Sequence, residues 1–206
     1  MAKRNRKMTD KKIERMIKEG RGQGSGADYK PWITIQDIAS KGRSTRIKGI
    51  KTKRQHEFLS DMETNFFFLM EFSDRVSDIR EQYPLLLLEE TLFIAEKLGI
   101  KHPTDPKTRM PIVVTTDFLI TIQDHNGQRL IARTIKEKQK LSKRTLDKFE
   151  IERRYWQKRG VYWGIVTEDE IDKVKANNIA SIYVNSVSIF PKISVRKLPF
   201  STENYA

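Results

Sequence analysis

The most informative stretch of this chain is IVVTTDFLITIQDHNGQRLIARTIK, which covers residues 112–136. Both ends of the stretch are rich in Val, Ile and Thr, which favour β-strands. Between them stands the dipeptide Asn126-Gly127, which is typical of a tight hairpin turn. The sequence therefore predicts two antiparallel strands, at residues 112–123 and 128–136, that lie side by side.

Two charged residues fall on these predicted strands. Asp117 interrupts the apolar first strand, and Lys136 closes the second. A carboxylate in a buried strand is costly unless it is paired or binds a metal ion. Oxygen ligands around Mg²⁺ with a lysine nearby suit phosphodiester hydrolysis. A plain salt bridge between Asp117 and Lys136 explains the same pattern, so the two interpretations stay open.

A third carboxylate, Glu63, stands near the start of a predicted helix at residues 60–72. The apolar residues that follow it predict that this helix packs on the sheet, where its first turn could reach a strand end. The segment Ser60-Asp61-Met62-Glu63 is also a capping box, in which Glu63 bonds back to the start of the helix. Periodicity does not separate these two roles.

The rest of the pattern places the hairpin inside a larger α/β fold. Further helices are expected at residues 9–19, 89–98, 142–159 and from 167 onward. Further extended segments are expected at residues 31–35, 76–88 and 161–166, with short strand-like pieces from residue 180. Residues 41–54 are interpreted as a basic, exposed loop or hairpin. This order predicts a mixed sheet that is flanked by helices.

The chain divides into three parts in this interpretation. Residues 1–8 form a basic flexible arm, residues 9–167 the main α/β domain, and residues 168–206 a short C-terminal segment.

Composition narrows the function. The 206 residues include 40 Lys and Arg against 27 Asp and Glu, a formal net charge of +13. Cysteine is absent, which excludes disulfides, thiolate nucleophiles and Cys-based zinc sites. No apolar run is long enough to span a bilayer, so we expect a soluble, cytoplasmic protein without a membrane partner. The positive excess predicts a polyanionic partner, most plausibly nucleic acid.

Two basic segments are candidates for phosphate contacts, namely residues 41–54 and the helix at 142–159. The helix interleaves its cations with acidic residues, so it is equally interpretable as a solvated face. The candidate DNA-binding residues are Lys41, Arg43, Arg46, Lys48, Lys51, Lys53, Arg54, Lys143, Arg144, Arg153 and Arg154.

Several motifs together resemble one known family. They are IKEGRGQG (17–24), DYKPW (28–32), SDME (60–63), DIREQYPL (78–85), GIKHP (99–103), TDFL (116–119) and ERRYW (152–156). In this order they resemble the TnsA family, the endonuclease subunits of Tn7-type heteromeric transposases. The resemblance implies a restriction-endonuclease-like fold that cuts double-stranded DNA at the 5′ ends of a transposon. It also implies two partners, a TnsB-like transposase for the 3′ strands and a TnsC-like AAA+ ATPase.

The resemblance also assigns an active site. The family's helix glutamate falls on Glu63, its strand aspartate on Asp117 and its lysine on Lys136, which makes these three the candidate catalytic residues. The implied metal ligands are Glu63, Asp117, Thr134 and the carbonyl of Ile135, with Mg²⁺ as the ion and Mn²⁺ as its substitute.

Thr134 departs from the family pattern, which has Gln at this position. A neutral hydroxyl is a weaker ligand than an amide or carboxylate oxygen, so one metal ion is easier to accommodate than two. The favoured interpretation is a metal-dependent DNA endonuclease. The alternative is a catalytically weakened DNA-binding or assembly subunit that keeps the nuclease fold. The chain is also shorter than the family's usual length, with little sequence after Val166.

Overall fold

The computed structural model describes residues 8–38, 43–125 and 127–189, with side chains to residue 183. The helices are α1 (Asp10–Lys18), α2 (Asp61–Phe72), α3 (Leu88–Lys97), α4 (Lys143–Gln157) and α5 (Lys173–Ile189). The strands are β1 (Thr45–Lys48), β2 (Gln55–Phe58), β3 (Val76–Pro84), β4 (Thr115–Asp124), β5 (Gly127–Ile135) and β6 (Tyr162–Val166). Short 3-10 turns occupy Gly26–Asp28 and Lys138–Lys140. In these described ranges, no helix has the length and apolar character needed to cross a membrane.

The main sheet has four strands in the order β3-β4-β5-β6. β4 is antiparallel to both β3 and β5, whereas β5 and β6 run parallel. Strands β1 and β2 form a separate antiparallel hairpin. Gln123 pairs with Gln128 and Asp124 with Gly127, so β4 and β5 are the two adjacent antiparallel strands that the sequence predicted. The expected mixed α/β sheet is confirmed.

Helices cover both faces of the sheet. On one face, Phe66 and Phe67 of α2 pack with Phe118 of β4 and with Ile179 of α5 in one buried cluster. On the other face, Trp156 of α4 packs in a smaller buried cluster. Because the sheet covers α2 on one side and α5 covers it on another, this helix is apolar almost all round rather than along one stripe.

The predicted helices at residues 9–19, 60–72 and 142–159 are confirmed, and each begins at a side-chain cap. Thr9 accepts a hydrogen bond from the backbone of Lys12, Ser60 from Glu63, and Ser142 from Thr145. Such caps satisfy backbone N–H groups that a helix start leaves without partners.

Three local predictions are wrong. Residues 31–35 form a bent, irregular segment rather than a strand. The last helix begins at Lys173 rather than near residue 167, since the bonds from Thr167 to Glu170 close only a turn. It then continues to Ile189, where strand-like pieces were expected from residue 180, and Ala180 and Tyr183 of this stretch pack with the buried cluster of α2. Residues 190–206 lie outside the described ranges, as does the predicted arm except Met8.

The segment that precedes the β1–β2 hairpin packs against β3. Gly22 has φ +76°, and a Cβ atom on it would stand 2.1 Å from Pro84 Cγ, so only glycine permits this approach. The Tyr29 hydroxyl donates to the Glu81 carbonyl (3.0 Å), and the Trp32 N–H donates to the Gln82 carbonyl (3.2 Å). We call residues 20–34 the strap, because they hold the backbone of β3 where it approaches Asp117.

Candidate active site

The regular alternation of side chains breaks at Asp117. Phe118 packs toward α2, whereas Thr116 accepts a hydrogen bond from Trp156 on the α4 face (2.7 Å). Residues two apart in a regular strand would share a face. On the neighbouring strand β3, the opposing residue Gln82 has φ +47°, in the left-handed region that only glycine adopts readily. Both strands are therefore distorted at the same rung, and Asp117 lies at that distortion.

Asp117 is half-buried and held by two hydrogen bonds. The Ile135 N–H donates to its Oδ2 (2.7 Å), and Gln82 Nε2 donates to its Oδ1 (3.2 Å). Burial raises the pKa of Asp117 to about 6, although these two bonds and the charge of Lys136 lower it. A cation beside Asp117 would therefore stabilise its charged form, and without a cation the carboxyl binds a proton more readily than usual.

Glu63 performs both of the roles that its sequence left open. Its carboxyl accepts from the Ser60 hydroxyl (2.8 Å) and from the Leu59 N–H (3.1 Å), which completes the capping box. Burial raises the pKa of Glu63 to about 7, and the negative charge of Asp117 is the second cause of that rise. The carboxyl of Glu63 therefore also lies close to that of Asp117. The structure thus brings Glu63 and Asp117 together.

Lys136 follows β5 directly. Its backbone N–H donates to the Val166 carbonyl (2.9 Å), which extends the parallel ladder by one residue. Its charge lowers the pKa of Asp117, so the ammonium group stands close enough to act on that carboxyl. The three candidate catalytic residues therefore converge from α2, β4 and the end of β5.

Thr134 does not join this group. Its buried hydroxyl donates to Glu152 Oε2 (2.7 Å) and accepts from Trp163 Nε1 (3.2 Å). Glu152 also accepts from the Thr116 hydroxyl (3.2 Å). Burial raises the pKa of Glu152 to about 8, with the charge of Asp117 adding to the rise, so a neutral carboxyl is favoured at pH 7. Thr134 is held in a network behind the sheet.

Two residues of the site were missed by the sequence reasoning. Gln82 lies in the DIREQYPL motif, where nothing in the spacing marked it as an active-site residue. Glu152 was counted as one of the acidic residues of a solvated helix face. Its neighbours Ile151 and Tyr155 are apolar and buried, which is the one signal that could have placed it inside.

The donor set fits one divalent cation. Two buried carboxylates face each other, and both have raised pKa values in the absence of a cation. Hard cations such as Mg²⁺ prefer such oxygen ligands and complete their shell with water. Within the described ranges, no three His, Asp or Glu side chains cluster closely enough to hold a metal, so backbone carbonyl or water would supply the remaining ligands.

The proposed DNA-binding residue Arg54 is a correction. Its guanidinium is buried and forms a bidentate pair with the carboxylate of Glu81, and Arg54 Nη2 also donates to the Ile79 carbonyl (2.9 Å). His56 Nδ1 lies 2.7 Å from the same carboxylate of Glu81. Arg54 therefore supports β3 from inside and is not part of the surface.

The other hairpin cations divide by position. Arg43 and Arg46 are exposed and form ion pairs with Asp61 (3.4 Å) and Glu57 (2.8 Å). Lys48 and Lys53 are exposed, Lys51 is half-buried, and Lys41 lies outside the described ranges. The surface of the β1–β2 hairpin therefore keeps several cations at its tip.

The cations of α4 separate into two groups. Arg153 and Arg154 both bind the carboxylate of Glu150, at 2.6 Å and 2.8 Å. Arg144 and Lys148 form no ion pair with any described residue, and neither does Lys143. Partial burial lowers the pKa of Lys148, and the charges of Arg144 and Lys136 lower it further, which places these three cations together. We call Lys136, Arg144 and Lys148 the cationic cluster.

A mixed sheet between helices, with its acidic and basic site residues on adjacent strands, is the restriction-endonuclease-like class of nuclease domain. Residues 73–168 match the family model described as TnsA-like endonuclease N terminal. The chain is 44% identical over 183 residues to the transposon Tn7 transposition protein TnsA of Escherichia coli. That similarity covers 89% of this chain and 66% of the relative, so the chain spans about two thirds of the relative's length. The chain belongs to the TnsA-like endonuclease family.

Proposed function

We propose that this chain is a metal-dependent DNA endonuclease that cuts the 5′ strands at transposon ends during transposition. Its substrate is double-stranded DNA, and its cofactor is Mg²⁺, for which Mn²⁺ substitutes. It acts with a TnsB-like transposase, which cuts and joins the 3′ strands, and with a TnsC-like AAA+ ATPase. The similarity to a Tn7 transposition protein supports the choice of reaction and partners.

One observation carries the proposal. Glu63 and Asp117 come from different elements, face each other, and have pKa values raised above their ordinary range. A purely structural carboxylate pair would be a net cost, because two like charges are held in a partly dry site. A divalent cation turns that cost into a binding site, since it favours the charged form of both groups.

The residues divide the work. A bound divalent cation supplies charge stabilisation at the phosphate and a water of lowered pKa. Glu63 and Asp117 hold the cation, and the Ile135 N–H fixes the orientation of Asp117 by its 2.7 Å bond. Lys136 lies beside Asp117, where its ammonium group can orient the attacking water or screen the charge that develops on the phosphate.

The cationic cluster supports the path of the DNA. Arg144 and Lys148 stand one turn apart on the same face of α4 and close to Lys136. Unpaired like charges repel, and a phosphate backbone relieves that repulsion with release of counterions. Phosphate contacts of this kind position the duplex without reading its sequence, so end recognition falls to the partner transposase.

A cleavage assay on transposon-end DNA tests the proposal. The complete mixture of chain, transposase and ATPase with Mg²⁺ or Mn²⁺ is expected to cut 5′ strands, and the Asp117→Asn variant is expected not to. Because the transposase still processes 3′ strands, the variant should yield cointegrates in place of simple insertions. Glu96→Gln, which changes an exposed carboxylate on α3, is the matched control.

Two results would contradict the proposal. Normal 5′ cutting by Asp117→Asn would show that the metal centre is elsewhere. A wild-type mixture that joins 3′ strands but never cuts 5′ strands, with either metal, would favour the DNA-binding or assembly subunit instead.

A further inference from the structure

We propose that Gln82 is a positioning residue of this centre, and that its side-chain amide holds Asp117 beside Glu63, in place to receive the cation. This inference rests on the proposed function above. It assigns a task to a residue that lies on β3, outside the Glu, Asp and Lys set of the resemblance.

The contacts of Gln82 fix the direction of its amide. The carbonyl Oε1 accepts from the Thr115 hydroxyl (3.3 Å), so the NH₂ group points the other way. Nε2 donates to Asp117 Oδ1 (3.2 Å), and the amide stands close enough to Glu63 to lower the pKa of that carboxyl. A primary amide has two N–H donors, so the bond to Asp117 leaves the second N–H available. Gln82 is 2% exposed, so water does not compete for these bonds.

The residue type suits the task. Two carboxylates that face each other need donors between them, or they separate or take up protons. A lysine in this position would neutralise the charge that attracts the cation, and a glutamate would add a third negative charge. A glutamine donates to Asp117, lowers the pKa of Glu63 and leaves the net charge of the site unchanged.

The backbone of Gln82 is strained to bring the side chain there. Its φ of +47° lies in the left-handed region, which is strained for a residue other than glycine. The strap holds the backbone at this point. The Trp32 N–H donates to the Gln82 carbonyl, and the Tyr29 hydroxyl donates to the Glu81 carbonyl. Strained backbone persists where its surroundings over-determine it, and it concentrates at functional sites. The strap and Glu81 together supply that support.

The test compares two variants that relieve the strain. Gln82→Asn keeps an amide that tolerates positive φ but shortens it by one methylene, and Gln82→Gly removes the side chain. Both should melt in EDTA at or above the wild-type temperature, yet bind Mn²⁺ about tenfold more weakly by calorimetry, as for other residues that orient metal ligands. Cleavage by either variant should need correspondingly more Mg²⁺ and approach the wild-type rate at saturation.

Leu87→Gly is the matched control. Leu87 also has a positive φ, of +68°, but it is exposed and makes no contact with the carboxylates. This variant relieves strain without touching the site, so its Mn²⁺ affinity should equal that of the wild type.

The outcomes separate this inference from the proposed function. If Asp117→Asn abolishes Mn²⁺ binding while Gln82→Asn and Gln82→Gly bind Mn²⁺ like the wild type, the role of Gln82 is overturned and the centre stands. The role of Gln82 is also overturned if both Gln82 variants only lower the melting temperature. If the wild type itself binds no Mn²⁺ and cuts no DNA, the proposed function fails first.

Discussion

The hydroxyl of Thr134 donates a 2.7 Å hydrogen bond to the carboxyl of Glu152, on the α4 side of the sheet. The position that carries Gln in the resembling family is thus tied to a buried acid rather than directed at Glu63 and Asp117. The Trp163 indole N–H closes the network by donating to the same hydroxyl (3.2 Å). A longer side chain at residue 134 has to displace one of these groups.

The first prediction follows from that packing. Thr134→Gln should lower the free energy of unfolding by about 1–3 kcal/mol, because a larger side chain crowds a filled site. For a chain of this size that is a drop of roughly 2–4 °C per kcal/mol in the melting temperature. Thr134→Ser keeps the hydroxyl and is the control. An increase in cleavage by Thr134→Gln at low Mg²⁺ would instead make residue 134 a metal ligand.

The second prediction concerns pH. Glu63, Asp117 and Glu152 have folded pKa values of about 7, 6 and 8, all above their ordinary values. The folded protein therefore holds protons that the unfolded chain releases, and this contribution is complete below about pH 4 and is lost as the pH rises through 6 to 8. In EDTA the melting temperature should be lower at pH 8 than at pH 6.

Two controls follow from the same pKa values. Asp117→Asn should make the melting temperature depend less on pH. It should also raise the melting temperature at pH 8, because one charge has been removed from the site. Mn²⁺ should stabilise the wild type more at pH 8 than at pH 6, since the ion replaces protons. A wild-type melting temperature that does not change between pH 6 and 8 in EDTA would count against these protonation states.

The third prediction concerns DNA affinity. The double variant Arg144→Gln with Lys148→Gln should weaken binding to any duplex and reduce the slope of log affinity against log salt by about 2, one for each phosphate contact. The double variant Arg153→Gln with Arg154→Gln is the control of equal charge, because both of those cations already pair with the carboxylate of Glu150. Equal losses in both variants would mean that only net charge matters.

The fourth prediction concerns the buried pair behind β3. Arg54→Met removes the bidentate partner of the Glu81 carboxylate, leaves it with the contact to His56 Nδ1, and should cost about 3–5 kcal/mol of stability. Adding Glu81→Gln should recover part of that loss, since the second change removes the stranded charge. DNA affinity of the folded Arg54→Met protein should equal that of the wild type. A large loss of DNA affinity at unchanged stability would instead show that Arg54 is one of the DNA-binding residues.

The sequence predicted the parts of the fold that local rules govern. The antiparallel pairing of β4 with β5 and the helices that begin after Thr9, Ser60 and Ser142 are specified by residues close together in the chain, and all are present. The end of α5 was mispredicted because its residues favour strands and only contact with α2 makes them helical. Tertiary packing of that kind leaves little trace in the local pattern.

The site divides in the same way. The sequence singled out Glu63, Asp117 and Lys136 as candidates, because a carboxylate in an apolar strand and a lysine across a hairpin are visible anomalies and because the resemblance assigns the same three positions. Gln82 was missed because its role depends on a backbone angle at one residue, which no spacing rule encodes. Arg54 was misplaced because a buried arginine and a surface arginine look alike until the partner, Glu81, is known.

Helix α2 connects the candidate site to the tip of the β1–β2 hairpin and to α5. Its first turn carries Glu63 into the site, and Glu71 near its last turn accepts from the backbone of Ile50 and Lys51 and from the Tyr183 hydroxyl (3.1 Å). The eight helical steps from Glu63 to Glu71 span about 12 Å. A displacement of the tip of the β1–β2 hairpin or of α5 therefore moves Glu71, and α2 carries that movement to Glu63 in the site.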